Sequence, residues 1–485
     1  MEGQTDTCSE EFAVMLVFEK NIEALKCFYP DIYDEIIKRR RPDTLKYKVE
    51  SCNNGLYTLK VELELYKEVK RFYLHSRYNP VDEAIKFARQ QYRNDIRIHV
   101  LYGFALGYHI DEMLKFMQYD DKLYVLENNM DVFYKALELR DLTHIITNSN
   151  IELIISQDES NICSKVKSLL NEGVNFIIHP PSLKAIPPEN EYFKFVMEDW
   201  NIRKSVSKDL LKLIDDNIKI NLQNDDPNVG IFFEKFKGQS VIIVSSGPSL
   251  DLNIEYLKEA KNKAMIFAVG SSLRPLLLRD IIPDLFVVID PKEGTLNQIK
   301  GFENMEIPMI YLSSAYAGTV SAYKGPKAIA CYKKEQLKAE KEKYIVDPGG
   351  SVATTALDIA IKMGFDFIIL VGQDLAFTNG RNHVQYGTSA DVNTKELKNM
   401  RKVVGQNGEI LYTTLGLLSY KYWIERRIEK ENRVFINATE GGALIEGMKH
   451  MKLKDVISQY LKRSFNFSQK ISTILEESRR DYVQE

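Results

Sequence analysis

A chain of 485 residues with 44% hydrophobic and 27% charged residues has the make-up of a globular protein of two or three domains with substantial cores. Its formal net charge of −3 argues against a general nucleic-acid binder. Five scattered cysteines (Cys8, Cys27, Cys52, Cys163, Cys331) exclude a disulfide framework or zinc site and read as reduced, buried thiols; with no signal pattern or membrane-length apolar run, a soluble, cytoplasmic protein is expected.

In chain order, residues 10 to 40 have helical periodicity broken at Pro30. Tyr47 to Leu63 reads as a β-hairpin turning at Asn53-Asn54-Gly55. A helix over Ala84 to Tyr92 precedes a strand ending at Tyr102, a Gly103-Phe-Ala-Leu-Gly107 turn and a helix from Ile110. Further strands are expected at Lys122–Glu127, Ile145-Ile146, Ile151–Ile155 and Asn175–His179. This is the layout of a Rossmann unit with Glu127 as ribose ligand. Phe104 and Leu106 leave no phosphate cradle between the glycines, which favours a packing role for Gly103 and Gly107. Pro180-Pro181 and Pro187-Pro188 open a connector containing one amphipathic helix, about Glu191 to Ile220.

A second strand–helix alternation follows. Strands are expected at Ser240–Val244, Ala264–Val269, Leu285–Ile289, Met309–Leu312, Lys327–Ala330, Phe367–Val371 and Val434–Ile436, with a helix from Ser351 to Met363 stopped by Gly364. Such buried, continuous apolar runs predict a doubly wound, mostly parallel sheet. The predicted domains are 1–180 (α/β, Rossmann-like), 181–229 (helical connector), 230–447 (central α/β) and 448–485 (helical, with Leu453, Val456, Ile457, Tyr460 and Leu461 on one apolar face).

Ligands of such sheets bind beyond the carboxyl ends of the strands, and the unusual polar residues gather there. The first strand runs into Ser245-Ser246-Gly247-Pro248-Ser249, whose small residues and backbone N–H groups suit a phosphate, with Ser249 or Asp251 to cap the next helix. Other ends carry Gly270-Ser271-Ser272, Asp290-Pro291-Lys292-Glu293, Ser313-Ser314, Gly372-Gln373-Asp374 and Asn437 to Gly442. Gly349-Gly350-Ser351 opens a helix and suits an anion or ribose, or is an ordinary cap. Asp290 and Asp374 can bind sugar hydroxyls or act as acid or base; His383 is a candidate base or a solvated loop residue. Lys292 and Arg381 can pair with an anion or be plain surface charges. No D-x-D, H-E-x-x-H or cysteine/histidine motif is present, so no metal and no cofactor is expected.

Ser245-Ser-Gly-Pro-Ser-Leu250, Asp290-Pro-Lys292, Gly372-Gln-Asp-Leu-Ala376 and Asn437-Ala-Thr-Glu-Gly-Gly442, in this order, resemble the central domain of the motility accessory factor (Maf) family, bacterial flagellin glycosyltransferases. The resemblance covers about 180–450. It implies transfer of a nonulosonic acid (pseudaminic or legionaminic acid) from a CMP-activated donor to Ser/Thr hydroxyls of flagellin, for flagellum assembly and motility. By it, Ser246, Gly247, Pro248 and Ser249, with Ser271 and Ser272, would hold the CMP phosphate and ribose. The Gly349-Gly350-Ser351 turn and Gly372-Gln373-Asp374 would complete the pocket, near Lys292 as a candidate anion partner. The Gly-Pro-Ser-Leu piece also resembles CMP-sialic-acid sialyltransferases, but where these place a catalytic histidine this chain has Tyr412-Thr413-Thr414. The base is therefore open among Asp374, His383, Asp290 and Glu440. The same domain resembles archaeal 6-hydroxymethylpterin pyrophosphokinases, which use ATP and magnesium, and a non-catalytic flagellin-binding protein is a further alternative.

Overall fold

The computed structural model describes residues 5–39, 46–65, 68–169, 173–203, 208–337, 344–377 and 400–484. The chain divides into two compact units, Met1–Ser205 and Val206–Glu485.

The first unit opens with helices Thr5–Phe28 and Pro30–Lys38, the break falling at Pro30 as the periodicity requires. The expected hairpin is β1 (Tyr47–Ser51) and β2 (Tyr57–Leu65), paired antiparallel about Gly55, and β3 (Glu68–Tyr73) adds a third strand. Sequence reading missed β3 because its Glu68-Val-Lys-Arg stretch is solvent-exposed and carries no apolar signal. Then come β4 (Ile98–Tyr102), β5 (Lys122–Glu127), β6 (Ile151–Ile155) and β7 (Val174–Ile178), all parallel in the order β6-β5-β4-β7. The Ile145-Ile146 pair, expected as a strand, lies in a helical turn, Thr143–Ile146, with both N–H groups donating to the Leu142 carbonyl (2.9 and 3.0 Å). Two buried apolar residues carry no period, so burial alone does not separate strand from helix. The Asn21 side chain, fully buried, ties the first helix to the carbonyls of Leu137 and Arg140 (2.8 and 2.7 Å) and to the Leu142 N–H (2.8 Å).

The single helix expected over Glu191 to Ile220 is two: Glu191–Arg203 in the first unit and Lys208–Asn221 in the second. The second unit is built on β8 (Ser240–Val244), β9 (Met265–Val269), β10 (Leu285–Val288), β11 (Met309–Leu312), β12 (Lys327–Ala330) and β13 (Phe367–Val371). It continues through the hairpin β14 (Arg401–Val404) and β15 (Ile410–Thr413) to β16 (Val434–Asn437) and β17 (Lys449–His450). Eight of these form one parallel sheet in the order β12-β11-β10-β9-β8-β13-β16-β17. The expected α/β, doubly wound architecture is therefore present. Val241 to Val244 are fully buried, each side chain contributing on the order of 1.5–3 kcal/mol of apolar burial. The C-terminal helices Leu453–Tyr460 and Phe467–Gln484 cover this unit's core, with Leu453, Val456, Ile457 and Leu461 buried in it. No described helix is long and apolar enough to cross a membrane. Of the cysteines, Cys52 and Cys331 are buried as expected, but Cys27 is exposed near the end of the first helix.

Candidate functional site

Strand order fixes where a ligand crevice lies. From β8 the chain winds outward through β9, β10, β11 and β12, then returns to β13 on the other side of β8 and continues to β16. Winding reverses between β8 and β13, and a topological switch point of this kind opens a crevice at the strands' carboxyl ends. The two turns that meet there are Ser245–Ser249 and Gly372–Asp374. Ser245 Oγ donates to Gln373 Oε1 (2.6 Å), and the Gly247 N–H donates to the Gly372 carbonyl (2.8 Å).

Asp374 is the centre of this junction. It is buried, and its carboxylate accepts from the Ser249 hydroxyl (2.7 Å) and the Ser249 N–H (3.3 Å). Ser249 therefore does not cap the helix Leu250–Asn253, which has no side-chain cap. The Ser245, Gly247 and Ser249 N–H groups are all spent on the β13 side, which corrects the expectation that they point at a phosphate. Gly247 is required for internal reasons: a Cβ there would overlap the Asp374 carboxylate and the Gly372 carbonyl. The Asp374 carbonyl accepts from Ala443 N–H (2.7 Å), and Gln373 N–H donates to Thr439 Oγ1 (3.1 Å), so β16 braces the turn. Leu375 and Glu440 both adopt positive φ (52° and 61°), a strain of about 1–3 kcal/mol per residue of the kind that gathers at functional sites. Thr413 Oγ1 donates to the Leu375 carbonyl (2.7 Å), and Thr414 caps the helix Leu415–Glu429. Thr413 and Thr414 thus hold the frame.

Along the same sheet edge, the Ser246 and Ser271 hydroxyls are 2.7 Å apart, joining the β8 and β9 ends. Ser272 is fully buried, with its hydroxyl at the carbonyls of Val244 (2.7 Å) and Val269 (2.8 Å); it shapes the strand–helix turn and is closed to a ligand. Pro248 is partly exposed. Asp290 is exposed beyond β10, and its Oδ1 accepts the Lys292 N–H (3.0 Å), leaving the Lys292 side chain exposed. Sequence reading missed Tyr420. Its phenol is held above its usual pKa by burial, then by the Asp290 charge, and its ring lies where a Cβ on Gly350 would touch it at 3.4 Å. Tyr420 thus lies against Gly350 and within electrostatic reach of Asp290. Successive positive φ at Gly349 (59°) and Gly350 (91°) makes glycine necessary in this turn. Ser351 Oγ accepts the Thr354 N–H (3.1 Å) in a capping box, the ordinary-cap reading of that stretch. Glu440 accepts the Leu453 N–H (3.0 Å) at a helix start and the Asn253 amide (3.3 Å). Arg381 and His383 lie outside the described residues.

In the first unit Glu127 is no ribose ligand. Its buried carboxyl faces its own turns, accepting from the N–H groups of Phe104 (3.0 Å) and Asn129 (2.9 Å). Burial outweighs these bonds and raises its pKa to about 7.

The scaffold and crevice define a class: a protein of two α/β units, each built on a parallel sheet, with polar strand ends converging at the switch point of the larger one. Residues 43–180 match the family model described as Glycosyltransferase Maf N-terminal domain, and residues 214–380 that described as 6-hydroxymethylpterin diphosphokinase MptE-like. The solved structure of the Maf glycosyltransferase from Magnetospirillum magneticum AMB-1 superimposes with a TM-score of 0.51 at 16% identity, over 96% of this chain and 78% of that one. The histidine–tRNA ligase of Pyrobaculum aerophilum is 25% identical over 249 residues, half of each chain, so the chain spans about half the length of the curated relative it matches. A match to the Maf N-terminal domain and a fold shared with a Maf glycosyltransferase are what this chain has in common with that family.

Proposed function

We propose that the chain transfers a nonulosonic acid, pseudaminic or legionaminic acid, from its CMP-activated form to Ser/Thr hydroxyls of flagellin in the cytoplasm. The observation that carries this reading is the meeting of the β8 and β13 turns at the switch point of the sheet, with Ser246, Ser271, Asp290 and Lys292 on the same edge. The donor phosphate is received by the Ser246 and Ser271 hydroxyls and Lys292, since the loop N–H groups are engaged internally. Gly349 and Gly350 let this turn pack against Trp423 and Tyr420, whose rings then flank the sugar.

Of the base candidates, Asp290 is the proposed one, being exposed and within electrostatic reach of Tyr420. Asp374 and Glu440 are engaged in holding turns. Asp290 takes the proton of the acceptor hydroxyl as its oxygen attacks the anomeric carbon, and the CMP phosphate leaves with the bonding pair, its charge met by Lys292. Purified protein, CMP-pseudaminic acid and unmodified flagellin test this. CMP release matched by a one-sugar increase in flagellin intact mass is expected; no mass change with active donor overturns it.

The match over 214–380 favours one second reading, transfer of diphosphate from ATP to a hydroxymethylpterin. Magnesium-dependent AMP formation from ATP and 6-hydroxymethylpterin would establish it instead.

A further inference from the structure

The first unit has a switch point of its own. The order β6-β5-β4-β7 reverses direction between β4 and β7, so the crevice opens where Gly103–Tyr108 and His179 follow those strands. Glu127 is spent on bracing that turn, its carboxylate accepting the Phe104 N–H. Three histidines occupy the crevice instead: His75 after β3, His109 in the helix Tyr108–Leu114 and His179 directly after β7. They are 2%, 1% and 4% exposed, and one ring nitrogen of each lies within 4.8 Å of the others. The His109 and His179 rings stack at 4.3 Å, with His75 at 5.7 and 5.3 Å from them. A cavity of about 530 Å³ opens against all three, walled also by Asn79, Glu83 and Phe87.

We propose that His75, His109 and His179 bind one divalent transition-metal ion of the zinc class, with a fourth coordination position facing the cavity. The hydrogen bonds argue for it. His109 Nε2 donates to the Gly103 carbonyl (2.8 Å), which leaves Nδ1 as a bare lone pair that is buried and without a partner. An orphaned buried acceptor is unfavourable, and a metal would satisfy it. The other two rings can be anchored in the same way. His179 Nδ1 sits 2.8 Å from Ser182 Oγ, and His75 Nδ1 faces Glu83 Oε2 at 3.7 Å. His109 and His179 thus each have an oxygen bonded to one nitrogen, Glu83 stands just beyond hydrogen-bond reach of His75, and each ring can turn its other nitrogen inward, as metal-ligating histidines do. His75 Nε2 now accepts the Leu106 N–H at 3.2 Å, a contact that the metal replaces.

Three imidazoles suit zinc, and three protein ligands with an open fourth position is the pattern of a reactive rather than a closed site. Tetrahedral coordination sets ligand nitrogens about 3.4 Å apart, so binding draws the rings together by roughly 1 Å.

Untagged full-length protein, stripped with chelator and then equilibrated with zinc or cobalt(II), tests the proposal. The expected result is about one zinc per chain after gel filtration, and a visible cobalt spectrum lacking thiolate charge-transfer bands. His109→Ala and His179→Ala lose that equivalent, and Glu83→Gln weakens it about 10- to 100-fold. If the alanine variants do not fold, the wild-type cobalt spectrum and Glu83→Gln decide. Retention of less than about a tenth of an equivalent, a thiolate band from a site such as exposed Cys27, or undiminished binding in the folded variants overturns it.

Discussion

The Asp374 carboxylate receives both the hydroxyl and the backbone N–H of Ser249 across the boundary between β13 and β8. One buried acid therefore fixes the two turns that line the switch-point crevice. Residues 125 positions apart are bound at 2.7 Å, and the loop that resembles a phosphate cradle has an internal carboxylate in that role.

Ser249→Ala should take the hydroxyl donor from the Asp374 carboxylate. A hydrogen bond to a charged group contributes about 1.5–3 kcal/mol, so denaturant unfolding should show a loss of about 2 kcal/mol. Asp374→Ala should cost more, since Ser249 then loses both contacts. A Ser249→Ala chain as stable as wild type would remove Asp374 from its bracing role.

Gly247→Val is a structural change before it is a ligand-site change. Its side chain would overlap Asp374 and the Gly372 carbonyl, and overpacking of this kind costs about 1–3 kcal/mol. A lowered thermal midpoint in the absence of any nucleotide is expected. Lost CMP binding without lost stability would show instead that the position serves the ligand.

Asp290→Asn should separate chemistry from binding. The variant keeps an oxygen for the Lys292 N–H but cannot take a proton, so transfer to flagellin should fall about 10²- to 10⁴-fold. CMP affinity by calorimetry should stay within about threefold, a difference under 1 kcal/mol. Undiminished transfer would rule Asp290 out as the base.

Glu127 makes the first unit pH-dependent. Its folded pKa, about 7, lies above its ordinary value of 4.5. The stability it contributes is therefore complete below about pH 4.5 and is lost as the pH rises through about 7, a change on the order of 3 kcal/mol. The buried phenols of Tyr47 and Tyr102 nearby are pushed up and titrate only far above this window. Amide exchange of β4 and β5 across this range should accelerate with pH beyond the intrinsic rate, and Glu127→Gln should flatten that excess.

Much of the scaffold was legible because buried parallel strands read as unbroken apolar runs: Val241 to Val244 and Ile368 to Val371 need no partner to be recognised. Their polar ends marked the crevice edge for the same reason. What stayed hidden depends on distant pairs. Ser249 is a good cap by residue type, and only the fold shows that Asp374 claims it. Tyr420 sits mid-helix and looks like core until the fold brings it against Gly350 and within reach of the Asp290 charge. The histidines at 75, 109 and 179 have no motif spacing, because three separate segments of the chain deliver them to one place.

Hydrogen–deuterium exchange of the full chain with and without a CMP-activated nonulosonic acid tests the central claim most directly. Protection should concentrate in 245–249, 271–272, 290–293, 349–351 and 372–374, the strand ends around the switch point between β8 and β13. Protection confined to other segments, or none at saturating donor, would contradict the account.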